Sequence, residues 1–415
     1  MNKLIPELKK SFVTALWFAF LTFPILVIKV NTVRNSILWR WGNLAAVFVL
    51  TMALSYVWRR LLEKRARGER LFDLSGLVPA KLRGIELKSV FAQKKNSRAA
   101  LAVLLALAVL FPFVAGMYQT NIVTTALMYV ILGLGLNIVI GLGGLLQLGY
   151  AAFYAVGAYT YGILNTRFGL SFWIALPLGA VLATIFGIIL GFPVLRLKGD
   201  YLAIVTLGFA EICRIVLENW NDFSSGPSGI SQIDRPPFFG IKLSVPQSAI
   251  YLYLITLALV VVTVFIVRRL ENSRLGRAWE AMREDAVASE AMGVNLTIAK
   301  LSAFALGAFW AGMVGVLFAA KTTFINPASF TLMESVLILC IIVLGGMGST
   351  AGVIVGALVI ILLPEYLRAF TQYRMLLYGS ILVLMMVFRP GGIIRKVRKS
   401  YVFKADGQVE GAGHE

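Results

Sequence analysis

NIVTTALMYVILGLGLNIVIGL, residues 121–142, contains no Asp, Glu, Lys or Arg. An α-helix rises 1.5 Å per residue, so about 20 apolar residues are needed to cross the roughly 30 Å hydrocarbon core of a bilayer. This stretch is long enough and apolar enough to do so. It therefore predicts a transmembrane helix.

Similar apolar runs recur along the whole chain. Hydrophobic residues make up 59% of the sequence and charged residues only 14%, with a mean hydropathy of +0.83, whereas soluble domains are about a quarter charged. We therefore predict an all-α fold, a polytopic membrane helix bundle with about 10 to 12 transmembrane helices. The candidate helices are the runs 11–30, 37–58, 99–117, 121–142, 145–165, 172–192, 201–217, 249–267, 301–320, 332–346, 351–367 and 374–388.

The basic residues of the chain are distributed as expected for a membrane protein. The net charge is +19, which in a soluble protein would suggest nucleic-acid binding. Here Lys and Arg lie between apolar runs, most densely in residues 59–98. Because basic residues are retained in cytoplasmic loops, we expect residues 59–98 and both termini to be cytoplasmic, and we expect no nucleic-acid partner.

The chain divides into three predicted parts. Residues 1–98 contain two apolar runs and the basic segment, and they are predicted to be an N-terminal extension with two transmembrane helices. The first run is longer than the apolar part of a signal peptide and lacks a cleavage motif before Asn31, so we expect an uncleaved span. Residues 99–392 form the helical core, and residues 393–415 form a basic cytoplasmic tail.

The side chains that catalysis usually requires are scarce. The only histidine is His414, and the two cysteines, Cys213 and Cys340, lie far apart in apolar runs. This composition excludes Ser-His-Asp triads and His-ligated metal sites, so we predict no catalytic and no metal-binding residues. No G-x-x-x-x-G-K-[ST] motif occurs, so the chain has no phosphate-binding loop for ATP.

One polar stretch, between the eighth and ninth runs, predicts a helix outside the membrane. From Ala278 to Met292 there is no Pro or Gly, and Gly293 can end the helix. The predicted apolar face is narrow and holds only small or medium residues such as Ala286, whereas helices that lie in a membrane surface present Trp, Phe or Leu. An interfacial helix is the alternative. We predict a cytoplasmic helix over 278–292 that docks on a partner protein.

The order and spacing of several motifs resemble the permeases of branched-chain amino acid ABC transporters. The stretch Gly276 to Gly293, continued by Lys300-Leu301-Ser302-Ala303-Phe304, looks like the cytoplasmic coupling loop of that family. The two-run basic extension is similar to the LivM type of subunit. Further matching motifs are Leu148-Gly149-Tyr150-Ala151-Ala152-Phe153, Gly199-Asp200-Tyr201-Leu202-Ala203, Ser225-Gly226-Pro227-Ser228-Gly229, Leu344-Gly345-Gly346-Met347-Gly348-Ser349 and Arg389-Pro390-Gly391-Gly392.

The resemblance implies a heteromeric importer in the bacterial inner membrane, with residues 99–392 as its ABC importer permease core. The implied partners are a second homologous permease subunit, two ABC ATPase subunits, a periplasmic amino-acid-binding protein and membrane lipid. No cofactor would be bound by this chain, and ATP would be used by the partner subunits. The residues implied in the helix that docks on the ATPase are Arg277, Glu280, Ala281, Arg283, Glu284, Asp285 and Gly293.

Polar residues within apolar runs are candidates for lining a translocation path, because they are costly to bury in a membrane. A zwitterion with an aliphatic side chain would pass best between small and amide groups. The candidates are Asn137, Gln147, Tyr150, Tyr154, Glu211, Arg214 and Glu334. Glu211 and Arg214 are three residues apart on one helix and could instead pair with each other.

Three other functions stay open at this point. A permease for urea or short-chain amides would have much the same sequence. A gradient-driven carrier or channel would be active without ATPases. A membrane enzyme is least favoured, because no apolar run contains a histidine.

Overall fold

The computed structural model describes residues 94–197, 199–237, 244–370, 379–380, 383 and 391–394, together with Leu16, 28–31, 36–39, Gly42, Phe48 and Met52. The chain forms two compact units, residues 1–100 and 101–415. The tail from residue 395, most of the predicted span 374–388 and most of the predicted N-terminal extension lie outside the described residues.

A short antiparallel hairpin is described in the first unit. β1, Ile28–Asn31, pairs with β2, Ser36–Trp39, so that Ile28 lies opposite Trp39. The strands fall at the end of the predicted span 11–30 and the start of 37–58, where the prediction of helix is wrong. The β-branched and aromatic residues of both strands favour extended backbone.

The second unit is helical in its described part. Each predicted run from 99–117 to 351–367 overlaps a helix, and a π-helix, Ile138–Leu142, extends α2. Short 3₁₀ turns cover Gly226–Ser228, Pro327–Ser329 and Leu367–Phe370. The helices are α1 Lys94–Val114, α2 Met117–Asn137, α3 Tyr150–Phe168, α4 Phe172–Val194, α5 Asp200–Asn219, α6 Asn221–Ser224, α7 Val245–Glu271, α8 Arg274–Glu284, α9 Ala286–Ala291, α10 Leu296–Thr322, α11 Leu332–Gly345 and α12 Thr350–Tyr366.

Five described helical segments are long and apolar enough to cross a membrane, which makes the chain a multi-pass membrane protein. This number is below the predicted 10 to 12, in part because α3 is rich in Tyr, α5 carries four charged residues and α12 is short. The five segments are Met117–Leu142, Phe172–Val194, Val245–Glu271, Leu296–Thr322 and Pro327–Gly345.

The centre of the second unit is formed by α2 and α10. α10 packs mainly on α4 and α3, and α2 packs mainly on α7 and α12. In the most apolar stretch of α2, 78% of the residues are buried inside the protein, whereas in the corresponding stretches of α4 and α7 the share is 44%. Large apolar side chains such as Ile189 and Phe192 of α4 are exposed. An apolar helix that leaves such residues exposed is suited to contact lipid.

Close contact between α3 and α10 depends on glycine. A Cβ atom at Gly157 would lie 2.0 Å from the carbonyl oxygen of Gly312, and one at Gly315 would lie 2.3 Å from the carbonyl oxygen of Tyr154. Small residues allow helix backbones to approach each other closely in a membrane, where van der Waals packing rather than the hydrophobic effect drives helix association. These two glycines therefore set the crossing of the two helices.

Candidate functional site

The helix predicted over 278–292 is two helices, α8 and α9, and the prediction of one continuous helix is wrong. Asp285 separates them with an extended backbone, φ −154° and ψ 112°. Its carboxylate accepts hydrogen bonds from the N–H groups of Val287 at 2.9 Å and Ala288 at 3.0 Å. Asp favours such N-cap positions because its side chain satisfies N–H groups that have no partner within the helix.

The fully buried Trp279 fixes α8 to the bundle. Its Nε1 donates hydrogen bonds to the carbonyl oxygen of Ala299 at 2.9 Å and to Oγ of Ser302 at 3.2 Å. Gly276 and Met282 are buried on the same face. Trp279 was not among the predicted site residues, although its spacing of three residues from Gly276 and from Met282 is the signal of a buried helix face.

Arg283 connects α8 to the C-terminal end of α2. Its Nη1 donates a hydrogen bond to the carbonyl oxygen of Gly141, within the π-helix. Its side chain also packs on Gly144, where a Cβ atom would lie 2.7 Å from Cγ of Arg283. π-helical turns are frequent at functional sites. The contact joins α8 directly to the central helix of the bundle.

The remaining residues predicted to couple to the ATPase lie on the outer surface of α8 and α9. Arg277, Glu284, Asp285 and Gly293 are exposed, and Glu280 and Ala281 are half-buried. Two apolar side chains lie among them, because Val287 is 68% exposed and Met292 is 85% exposed. Charged groups around exposed apolar side chains are typical of a surface that binds another protein.

Asn137, predicted to line a path, connects α2 to the motif Leu344-Gly345-Gly346-Met347-Gly348-Ser349. It is buried, and its Oδ1 accepts a hydrogen bond of 2.9 Å from the N–H of Gly348. Gly348 lies in the turn between α11 and α12. A Cβ atom at Gly141 would lie 2.0 Å from the same oxygen. Asn137 therefore holds this turn against the π-helix that Arg283 contacts.

Gln147 and Tyr150 lie where the chain enters α3. Gln147 is fully buried, and neither polar atom of its side chain has a hydrogen-bond partner among the described residues. The hydroxyl of Tyr150 donates to the carbonyl oxygen of Gly307 at 2.8 Å. The N–H of Ala151 donates to Oγ of Ser335 at 2.9 Å. The N-termini of α3 and α11 therefore meet inside the bundle, close to the unpartnered amide.

Tyr154 and Glu334 lie near this meeting point. Tyr154 packs on Phe318 and Phe330, with ring centroids 5.3 and 5.1 Å apart. Glu334, in the first turn of α11, accepts a hydrogen bond from the hydroxyl of Tyr129 on α2. The described ion pairs do not include Glu334. Glu334 was predicted from the sequence as a site residue, whereas Tyr129 was not.

For Glu211 and Arg214, the pairing that the sequence analysis left open is confirmed. Arg214 Nη2 lies 2.6 Å from Oε1 of Glu211, and Nη1 lies 2.7 Å from Oε2 of Glu218. All three side chains are partly exposed. Arg214 is therefore paired within α5, with an acid on each side of it along the helix.

A cleft of about 230 Å³ lies at the opposite end of α10 from α8. Lys321 lines it, and its Nζ donates to the carbonyl oxygen of Asn121 at 3.0 Å and to Oγ1 of Thr125. Lys321 was not among the predicted site residues, because the predicted run 301–320 ends one residue before it. The cleft is lined by Met117, Asn121, Arg235, Pro236, Ser248, Ala249, Leu252, Lys321 and Thr322.

Known proteins are similar to this chain over most of its length. The family described as branched-chain amino acid transport system / permease component matches residues 118–388. The high-affinity branched-chain amino acid transport system permease protein LivM of Salmonella typhimurium is 46% identical over 331 residues, which cover 75% of this chain and 78% of the relative. LivM of Escherichia coli K12 is 47% identical over 324 residues, covering 73% and 76%.

A more distant relative is similar to a shorter stretch. LivH of Escherichia coli K12, also described as a high-affinity branched-chain amino acid transport system permease protein, is 24% identical over 293 residues, which cover 66% of this chain and 93% of the relative. No solved structure matches the chain significantly.

Proposed function

The chain belongs to the permease component family of branched-chain amino acid transport systems, and on that premise we propose that it is the membrane-spanning permease subunit of an ATP-driven importer for Leu, Ile and Val. The two LivM relatives support this type of subunit. The amino acid would arrive from a periplasmic binding protein, and separate ATPase subunits would supply the energy.

The observation that carries this proposal is the attachment of α8 and α9 to the bundle. Trp279 anchors α8 on α10, and Arg283 binds the π-helix of α2. A chain without a phosphate-binding loop needs a rigid element that receives movement from its ATPase and passes it to the core. The exposed face of α8 and α9 suits the ATPase contact, and their buried face suits the transmission.

The proposed assembly contains this chain, a second homologous permease, two ABC ATPase subunits and the binding protein. The similarity to LivH supports the second permease. No cofactor would be bound by this chain, since ATP would be bound by the ATPases. Arg268, Arg269 and Arg274 flank the junction of α7 and α8, which supports a cytoplasmic position for that end. Both termini would be cytoplasmic, and the membrane would be the bacterial inner membrane.

Transport by the reconstituted assembly tests the proposal. Proteoliposomes that contain this chain, the second permease and the ATPases, with binding protein outside, are expected to accumulate leucine only when ATP is inside. Urea and short-chain amides are the competing substrates to measure in parallel. Uptake of those compounds but not of leucine would contradict the proposed substrate, and leucine movement by this chain without ATPases would favour a carrier or channel.

The docking surface has its own test. Met292→Glu places a charge on the exposed face of α9 and is expected to reduce co-purification of the ATPases, because the change disturbs an apolar contact without altering the bundle. Val245→Glu is the matched control, since Val245 is also exposed but begins α7 at the opposite end from α8. Equal ATPase recovery in both variants would contradict docking at α9.

A further inference from the structure

We propose that a two-point site for a zwitterion lies beside α2, in which Lys321 of α10 binds a carboxylate and Glu334 of α11 binds an ammonium group. The inference rests on the proposed function and adds a location in the bundle where the amino acid would be held. It comes from two oppositely charged side chains that the proposed coupling mechanism does not use.

Lys321 is placed to bind an anion in the cleft. An ammonium group has three N–H donors, and the described hydrogen bonds of Nζ use two of them, to Asn121 and Thr125. Neither acceptor is charged. Arg235 lines the same cleft, whereas no Asp or Glu lines it. One donor of Lys321 and the charge of Arg235 are therefore available to a carboxylate.

Glu334 is placed to bind a cation deeper in the bundle. Its described hydrogen bond comes from the hydroxyl of Tyr129, which is neutral, and its carboxylate retains further acceptor positions. A carboxylate inside a membrane bundle is costly unless it is paired. The N-terminus of α11 favours a negative charge but does not replace a counter-ion. A ligand with an ammonium group would supply one.

The two charges are aligned along one helix. Asn121, Thr125 and Tyr129 recur at intervals of four residues, which places them on one face of α2. Thr125 binds Lys321 and Tyr129 binds Glu334, so the two contacts are about one helical turn, or roughly 6 Å, apart along the axis. The described ion pairs include neither Lys321 nor Glu334, so they do not pair with each other.

A zwitterion is the ligand class that neutralises both charges. A simple carboxylic acid would leave Glu334 unpaired, and a simple amine would leave Lys321 unpaired. Apolar surface for an aliphatic side chain is present as well, since Met117 and Leu252 line the cleft. The site is therefore assigned to an α-amino acid with an aliphatic side chain.

Binding of matched analogues tests the assignment. The full-length chain is placed in phosphatidylcholine nanodiscs, and equilibrium dialysis measures leucine, isocaproate, which lacks the ammonium group, and isoamylamine, which lacks the carboxylate. Lys321→Met is expected to weaken binding of leucine and isocaproate about tenfold and to spare isoamylamine. Glu334→Gln is expected to weaken binding of leucine and isoamylamine similarly and to spare isocaproate, because removal of one partner of a buried charge pair costs at least this factor.

Control variants separate this effect from unfolding. Arg167→Met and Glu365→Gln remove a cation and an acid that already have other partners, and they are expected to bind all three compounds normally. Lys321→Arg and Glu334→Asp retain the charges and are expected to keep leucine binding. The inference is overturned if the charge-retaining variants lose leucine as fully as the neutral ones, or if analogue binding does not follow the charge removed. Loss of binding to phosphatidylglycerol nanodisc lipid by Lys321→Met, with leucine binding unchanged in phosphatidylcholine nanodiscs, would also overturn it.

The outcome is distinguishable from failure of the proposed function. ATP-driven leucine uptake by the wild-type assembly, together with unchanged analogue binding in both neutral variants, would overturn the two-point site alone. Absence of ATP-driven uptake by the wild-type assembly would overturn the proposed function, even where the isolated chain binds leucine as expected.

Discussion

The two ends of the helical bundle treat their charged side chains differently. At the end that carries α8, Arg283 is bound to a backbone carbonyl, Asp285 caps a helix, and Gly141 and Gly144 leave no space between neighbouring segments. At the opposite end, Lys321 and Arg235 line an open cleft without a described acidic partner. Tight packing suits the transmission of movement, whereas unpaired charge beside a cleft suits the entry of a ligand.

The largest effect is expected from a side chain added where the segments pack most tightly, at the end that carries α8. Gly141→Ala places a Cβ atom 2.0 Å from Oδ1 of Asn137 and 2.6 Å from the N of Gly348, so the hydrogen bond between them cannot persist. We expect little monodisperse protein by size-exclusion chromatography. Gly208→Ala is the matched control, because open space surrounds that position and Ala favours a helix by about 1 kcal/mol over Gly. Equal yields of the two variants would contradict the tight packing around Gly141.

A smaller effect is expected from Trp279→Ala. The change removes a fully buried indole, which in protein cores costs about 3–5 kcal/mol, and it releases α8 from α10. We expect a lower thermal unfolding temperature in detergent and loss of ATPase binding. Trp279→Phe keeps most of the packing but not the N–H donor, so it is expected to retain ATPase binding. A full loss in the Phe variant would show that the hydrogen bond to Ala299 dominates.

Arg283→Met is expected to affect transport more than stability. The variant keeps a long side chain beside Gly144 but cannot bond to the carbonyl oxygen of Gly141. A hydrogen bond from a charged group contributes about 1.5–3 kcal/mol to stability, which is less than the loss expected for the buried Trp279 indole. ATP-driven leucine uptake should fall severalfold while the thermal unfolding temperature stays close to that of the wild type. Arg274→Met, on the exposed start of α8, provides the comparison. Normal uptake by Arg283→Met would show that the contact between α8 and α2 does not transmit movement to α2.

The smallest effect is expected from Arg214→Met in α5. Its ion pairs with Glu211 and Glu218 are partly exposed, and such pairs contribute between zero and about 1 kcal/mol. Leucine uptake, measured as an initial rate over a range of concentrations, should change by less than about twofold. A selective rise in KM for leucine would instead place α5 on the translocation path.

The membrane helices could be predicted from the sequence because their apolar length is a local property. The runs 172–192, 249–267 and 301–320 lie within α4, α7 and α10. The hairpin of β1 and β2 was not predicted, since an apolar run looks the same in a helix and in a buried strand. The break at Asp285 was also missed. A cap of this kind requires the chain to change direction, which the neighbouring helix-forming residues do not reveal.

The site residues divide in a similar way. Glu211 and Arg214 could be paired from their spacing, and Glu334 could be identified as a charge within an apolar run. The partners of Asn137, Lys321 and Glu334 could not be predicted, because they lie 211, 200 and 205 residues away along the chain. The sequence by itself determined that this protein lies in a membrane, lacks an ATP-binding loop and carries a polar segment suited to docking, because composition and local motifs decide those properties. Only the tertiary structure decided which charges are paired and which remain available, because those contacts depend on helices that meet far apart in sequence.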